Sequence, residues 1–447
     1  MRKLLILMVI FVAMTSGAAD RFRPEDVRAH VSFLASDLLE GRGTGERGYR
    51  IAADYVATQL EAMGIEPGAN GSYFQEVPFR KTVAGSTSNI VLTRKDGAAP
   101  VSLQFGEQFI TYGDPISPDS RREGDVVYAG FGITAPDQQY DDYANIDVRG
   151  KIVAIFNGAP KGFPNALRAH YSSSLNKIET AAAHGASGLI TMVPPKEERA
   201  PWPRVVRQFK LGSMHWLEAN GNAHAVNANV SSTVSLNKLG VEALFTGSPV
   251  KLDDVVALIE KGEPQSFALP VRAEIHLASK HEQLKSPNVV GVLPGSDPKL
   301  RDEYIVYSAH LDHLGISEPV DGDAINNGAL DNASGIAAML EVARAFATSP
   351  KKPKRSIIFL ATTGEEKGLR GADYFANNPT VPIDNLVANI NIDEIMMLHA
   401  TRDYVALGAE TNDLGDAAAR IASEMKMELT ADPFPQEVFF VRSDQYP

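Results

Sequence analysis

The chain has 447 residues, 44% hydrophobic and 8% aromatic, the composition of a globular protein long enough for two domains or one domain with a large insert. Its formal net charge of −12 argues against nucleic acid or an anionic membrane surface as a partner. Without a single cysteine it has neither disulfides nor a lipidated cysteine, so any stapling must come from the core or from metals.

Residues 1–19 place Arg2 and Lys3 before an apolar stretch, Leu4 to Met14, and a small-residue zone, Ser16-Gly17-Ala18-Ala19. That order predicts a secretory signal peptide, too short for a comfortable membrane span. The protein is expected to be exported, periplasmic or secreted, without stable membrane insertion. No other segment approaches ~18 uninterrupted apolar residues.

Residues 25–64 are predicted to be helical. Ile51, Ala52, Tyr55, Val56, Leu60 and Met63 fall on one stripe, and Gly64 supplies a stop. The segment LEGRGTGERG in front of that stripe is a glycine-rich loop. From about 123 to 265 the texture changes: short apolar runs, Val126–Tyr128, Ile152–Phe156 and Leu189–Met192, are separated by turn residues around one helical piece, KIETAAAHGA. This predicts a smaller strand-rich insert with its own core, assigned to 116–274 and interrupting a main domain of 20–115 and 275–447.

From 288 onward strand and helix patterns alternate. NVVGVLPG, YIVYSA, RSIIFLATTG and NLVANINID are apolar runs of strand length. ASGIAAMLEVARAFA sets Ile336, Met339, Leu340, Ala343 and Phe346 on one face, and LGDAAARIASEM does the same for Leu414, Ala417, Ala418, Ile421 and Met425. Strands buried on both faces between amphipathic helices predict an α/β fold with a mostly parallel mixed sheet flanked by helices. A last apolar run, Val438–Val441, predicts one more strand, leading into the turn Ser443-Asp444-Gln445.

In such sheets sites collect at the carboxyl ends of strands. YIVYSA runs into His310-Leu311-Asp312. Residues two apart in an extended chain share a face, so Asp312 is a natural orienter for the His310 ring, although an HxD taken alone is more often a satisfied structural histidine. Asp331 sits just before a helix that Asn332 or Ser334 could cap, and its own part could be no more than that cap. In ATTGEEKG the adjacent glutamates cannot point the same way: one can hold a cation while the other faces the attacking water as general base. Asp393 closes an apolar strand and needs a cation or a donor. One histidine, several carboxylates and no thiolate match a hydrolytic metal site. Two divalent ions against Asp331, Glu366, Asp393 and one hydroxide would balance in charge.

SAHLDHLG, NGALDNASG, ATTGEEKGLRGADYF and NINIDE resemble the co-catalytic zinc aminopeptidases, a group related to glutamate carboxypeptidase and glutaminyl cyclase. LASDLLEGRGTGERGYRIAADYVATQLEAMGIEPG resembles that family's first helix pair. DVRGKIVAI and HGASGLI resemble a protease-associated domain, which some members carry as an insert. The resemblance implies two zinc ions: His310 and Asp393 hold one, Asp331 bridges, Glu366 serves the second, and Glu365 is the general base. It implies peptide substrates with a free N-terminus and release of N-terminal residues.

At one position the sequence departs from the pattern. The family expects a final histidine ligand in a Ser-Asp-His context, and here the third residue is Gln445, whose amide oxygen is a harder, weaker donor to zinc. Three outcomes stay open: a weakly held second metal, a one-zinc enzyme, or recruitment of water or another side chain. His313 and His399 are near in sequence, and both could equally be structural. The competing readings are a related metallo-carboxypeptidase or dipeptidase, and a catalytically impaired binding homologue. The family's sheet continues with a further strand and a covering helix, so an end at Pro447 is expected to leave apolar sheet surface uncovered.

Overall fold

The protein was described from a computed structural model, covering residues 22–194, 200–395, 400–437 and 439–447. The expected signal peptide, His399 and Val438 lie outside the described residues. Among those residues no helix is long and apolar enough to cross a membrane.

The first helix, α1 (Pro24–Leu34), starts with proline and has Glu25 and Asp26 in its first turn, where the missing N–H costs nothing and the helix dipole favours acids. A tight turn, Asp37–Arg42, leads to α2 (Arg47–Ala62), which buries Ala52, Val56 and Leu60 as its stripe predicts. Gly64, at φ +73°, ends it in the left-handed conformation that glycine adopts without strain.

Five strands carry the main sheet: β1 (Phe74–Ala84), β2 (Phe267–Leu293), β3 (Tyr304–His310), β4 (Ser356–Thr362) and β5 (Leu386–Asn391). Their order is β5-β3-β4-β2-β1. The pairs β3–β4 and β3–β5 are parallel, whereas β4–β2 and β2–β1 are antiparallel. The sheet is therefore mixed, with its parallel part beneath the site. All seven residues of β4 are buried, as expected of a strand covered on both faces. One face packs Phe359 and Val289 against Leu60, Val56 and the helix α3 (Ser334–Thr348) through Ile336, Met339 and Leu340. The other face sets Ile358, Leu360 and Val290 against Phe375 of α4 (Arg370–Asn377). Each such buried side chain contributes roughly 1.5–3 kcal/mol.

The strand-rich region packs into apolar clusters distinct from those of the main sheet. Its strands Asp119–Tyr128, Ile152–Phe156, Gly188–Met192 and Thr233–Leu236 run parallel in sequence order, with helix Ser174–Ala183 against them. It also takes in Asn89–Arg94 and Val101–Gln104, outside the expected 116–274, because both join the sheet around the first half of β2. One insert strand, Ser213–Trp216, crosses back and pairs with β1 at the edge of the main sheet.

The strand expected at Val438–Val441 does not form among the described residues; Phe439–Val441 is a single 3-10 turn. Its aromatic residues are used for packing instead of pairing. The Phe440 ring lies on Gly408, where a Cβ would come within 2.6 Å, and edge-on to Tyr446 at 6.4 Å.

Candidate metal centre

His310 ends β3 fully inside the protein, and its ring is fixed from two sides. Nδ1 bonds the main-chain carbonyl of Asp312 at 3.0 Å, and Nε2 faces Asp331 Oδ1 at 3.1 Å and Asp393 Oδ1 at 3.3 Å. The carboxylate of Asp312 is not the orienter that residue spacing suggested. The strand ends at His310, so the two side chains no longer share a face, and the Asp312 carboxylate turns elsewhere. Its Oδ2 accepts from Thr44 Oγ1 at 2.9 Å and its Oδ1 from the main-chain N–H of Glu365 at 3.1 Å.

Asp331 is presented by the loop before α3. Asn332 Oδ1 accepts the N–H of Gly335 at 2.9 Å, a cap in function, and its Nδ2 donates to the Ile392 carbonyl at 2.9 Å. That second bond pins this loop to the end of β5 beside Asp393. Gly328, at φ +60°, makes the preceding turn, and a Cβ there would meet the Asp331 carbonyl at 2.5 Å.

Arg42, which sequence reasoning passed over inside its glycine-rich loop, clamps these pieces together. It is fully buried and donates to the carbonyls of Leu311 (2.9 Å), Asn327 (2.7 Å), Gly328 (2.9 Å) and Leu34. Its own carbonyl accepts the N–H of His313 at 3.1 Å. Burial pulls the guanidinium down to about 10, with Asp312, Asp331 and Glu366 opposing that shift, so it remains a cation at neutral pH.

A second group adjoins the first. His313 Nδ1 stands 2.5 Å from Glu366 Oε1 and 3.9 Å from Asp331 Oδ2. Two sets of ligand atoms thus converge, His310 with Asp331 and Asp393, and His313 with Asp331 and Glu366, each within 4.8 Å of one another. Buried Nδ1 of His313 and Oε1 of Glu366 have no hydrogen-bond partner, although such atoms are ordinarily satisfied. A buried nitrogen and a carboxylate oxygen brought together without a hydrogen bond are two donors that one divalent cation could share, the pair parting from 2.5 Å to take it. The donor set of imidazole and carboxylate suits zinc.

Glu365 and Glu366 open a 3-10 turn after Gly364, directly past β4. Burial raises Glu365 well above the usual carboxylate range, the charge of His310 opposing it. Burial also acts against the His310 charge, but the hydrogen bonds from Asp331 and Asp393 outweigh it and raise that pKa. So many acids in a buried place call for positive charge.

The turn at the chain's end docks on this site. Ser443 Oγ donates to Asp393 Oδ2, and Thr362 Oγ1 donates to the buried Asp444, which burial lifts to about 7. The Gln445 amide is engaged at both ends: its Oε1 accepts from Asn391 Nδ2 at 3.1 Å and its Nε2 donates to the Phe440 carbonyl at 2.7 Å.

Residues 288–447 match the model of peptidase family M28. A stretch of 107 residues, 24% of the chain, is 42% identical to a probable zinc metalloprotease of Pyrenophora teres f. teres (strain 0-1), covering 22% of that protein. Another of 142 residues, 30% of the chain, is 32% identical to aminopeptidase NAALADL1 of Mus musculus, covering 17% of it. In three dimensions the chain is similar to the aminopeptidase from Aneurinibacillus sp. strain AM-1, with TM-score 0.55, 20% identity, and coverage of 95% of this chain and 82% of that one. The chain matches less than a quarter of the length of those sequence relatives.

Proposed function

From a site segment that matches peptidase family M28, we propose that this protein is an exported zinc aminopeptidase, removing N-terminal residues from peptides with a free amino end. The observation that carries the reading is the convergence of His310, Asp331 and Asp393 next to a glutamate turn held by Asp312. His310, Asp331 and Asp393 would hold zinc, which when bound supplies Lewis acidity and acidifies water to near neutral pH.

The chain's own groups do the rest. Glu365 takes the proton of the attacking water and returns it to the leaving amine, the division of labour that two adjacent glutamates allow. Asp312 fixes the main chain of that base, and Asn332 ties the loop of Asp331 to the strand end of Asp393. Glu394, a further carboxylate beside Asp331 and Asp393, favours a substrate's ammonium end over its carboxylate end, which supports an aminopeptidase over a carboxypeptidase. The insert, read as a protease-associated-type unit, reaches the same side through Ser213–Trp216 and the hydrogen bond of Trp216 Nε1 to Asp373 Oδ2 at 2.7 Å.

Aminoacyl p-nitroanilides and short peptides test the reading. Free and N-acetylated peptides are compared by mass spectrometry, with and without chelator. Release of the first residue from the free peptide alone, abolished by chelation, is the expected result. Trimming of the acetylated peptide from its other end would replace aminopeptidase by carboxypeptidase. Fractionation of producing cells tests export.

A further inference from the structure

We propose that His313 is the histidine of the second metal position, the place that the resemblance gives to residue 445. The proposal rests on the metallopeptidase reading and names the ligand that completes its site.

Four observations converge on it. The two oxygens of Asp331 face different imidazoles: Oδ1 lies 3.1 Å from His310 Nε2 and Oδ2 lies 3.9 Å from His313 Nδ1. A carboxylate so placed is arranged to bridge, with one histidine on each side. Next, His313 Nδ1 and Glu366 Oε1 are both buried and both without a hydrogen-bond partner. Unpartnered buried donors and acceptors are costly, about 1–3 kcal/mol each, and a shared cation removes that cost. Then, the backbone of His313 is fixed by its bond to the Arg42 carbonyl, so the ring's position is built into the fold. Finally, Gln445 has its amide engaged with Asn391 and Phe440.

The chemistry agrees. An imidazole nitrogen is a better zinc donor than an amide oxygen, and exchanging one neutral ligand for another leaves the charge balance of the pair of ions at zero. Both histidines then come from the single segment His310-Leu311-Asp312-His313. The end of the chain keeps a supporting part: Ser443 holds Asp393, and Gln445 holds Asn391.

Zinc is counted by elemental analysis after equilibration of the full chain with buffered zinc, for the parent, His313→Asn and Gln445→Ala. The parent is expected to hold about two ions, His313→Asn about one, and Gln445→Ala about two. Retention of two by His313→Asn, or a fall to one in Gln445→Ala, overturns the assignment. X-ray absorption at the zinc edge of the parent gives a readout that does not depend on a variant folding. About one imidazole per zinc is expected, and about half would overturn the proposal. A parent that holds about one ion refutes this assignment and leaves the function reading intact. A parent that holds none refutes both.

Discussion

Asp312 accepts the main-chain N–H of Glu365 at 3.1 Å, which couples the end of β3 to the turn that follows β4. The residue two past His310, a proposed zinc ligand, thereby sets the position of the proposed base. Asp312→Ala should lower kcat by about 10–100-fold, the usual effect of removing an outer partner, with zinc content and KM little changed. Asp312→Asn keeps an oxygen that can accept this bond and should retain most of the rate. Steady-state kinetics combined with metal analysis on both variants separates the two outcomes.

Glu365→Gln keeps shape and removes the proton acceptor. A loss of about 10²–10⁴-fold in kcat is expected, with zinc retained. Parent-like turnover in a folded, zinc-loaded variant would take the base assignment away from Glu365.

Arg42 satisfies four carbonyls from three segments, all of them in or beside the site. Arg42→Leu leaves those oxygens buried and unpaired and should lower the unfolding free energy by about 3–5 kcal/mol. Arg42→Lys retains the charge but not the planar fork and should fall between. Denaturant midpoints of the two variants against the parent measure the difference.

Chelation exposes Asp331, Glu366 and Asp393 to one another's charge. Zinc stabilises whatever state binds it, by about 2.7 kcal/mol at a hundredfold excess over its Kd. The thermal midpoint should fall in excess chelator and return when zinc is restored. Unchanged melting would show that no ion is held by the native site.

The insert carries its own titration. Burial pulls the Lys177 ammonium down to about 7, with Asp142 opposing, and burial lifts Asp142 up to about 6 against its hydrogen bonds. An unfolded lysine keeps its proton to about 10.4, so from about pH 7 upward the folded chain binds fewer protons and stability rises. An unfolded aspartate loses its proton near 3.9, so from there to about pH 6 the folded chain binds more protons and stability falls as pH rises. Stability should therefore pass through a shallow minimum at about pH 6–7. Melting curves across that range should show the alkaline rise in the parent and its absence in Lys177→Met.

His310, Glu366 and Asp393 could be picked out because each follows or closes an apolar run, where a charge has no ordinary reason to be, and Asp331 because it sits just before a helix. His313 carries no such signal. Past His310 the chain leaves the strand, and its direction is set by the distant Arg42 and by Gly315, so spacing says nothing about where that ring points. The same break misled the reading of Asp312, whose partner through the carboxylate is Glu365. Val438–Val441 has the composition of a strand, yet pairing needs a neighbouring edge, and Phe440 found Gly408 and Tyr446 first. Helices α2 and α3 were legible because a stripe of period 3.6 suffices to identify a buried face. The sense of each strand pair was not, since β2 returns from the insert and its direction depends on a path of more than a hundred residues.

The single strand Phe267–Leu293 belongs to both sheets: its first half pairs with Asp119–Tyr128 and Asn89–Arg94, its second with β1 and β4. The insert is consequently not a bead on a tether but one end of a shared beam. Excising 116–274 would sever that beam, removing the rung from Phe267 to Glu274 and leaving the orphaned edge of Asn89–Arg94 in water. A graft of another unit in this place has to splice before Ser279, where β1 takes over as partner, if the floor under the Glu365–Glu366 turn is to stand.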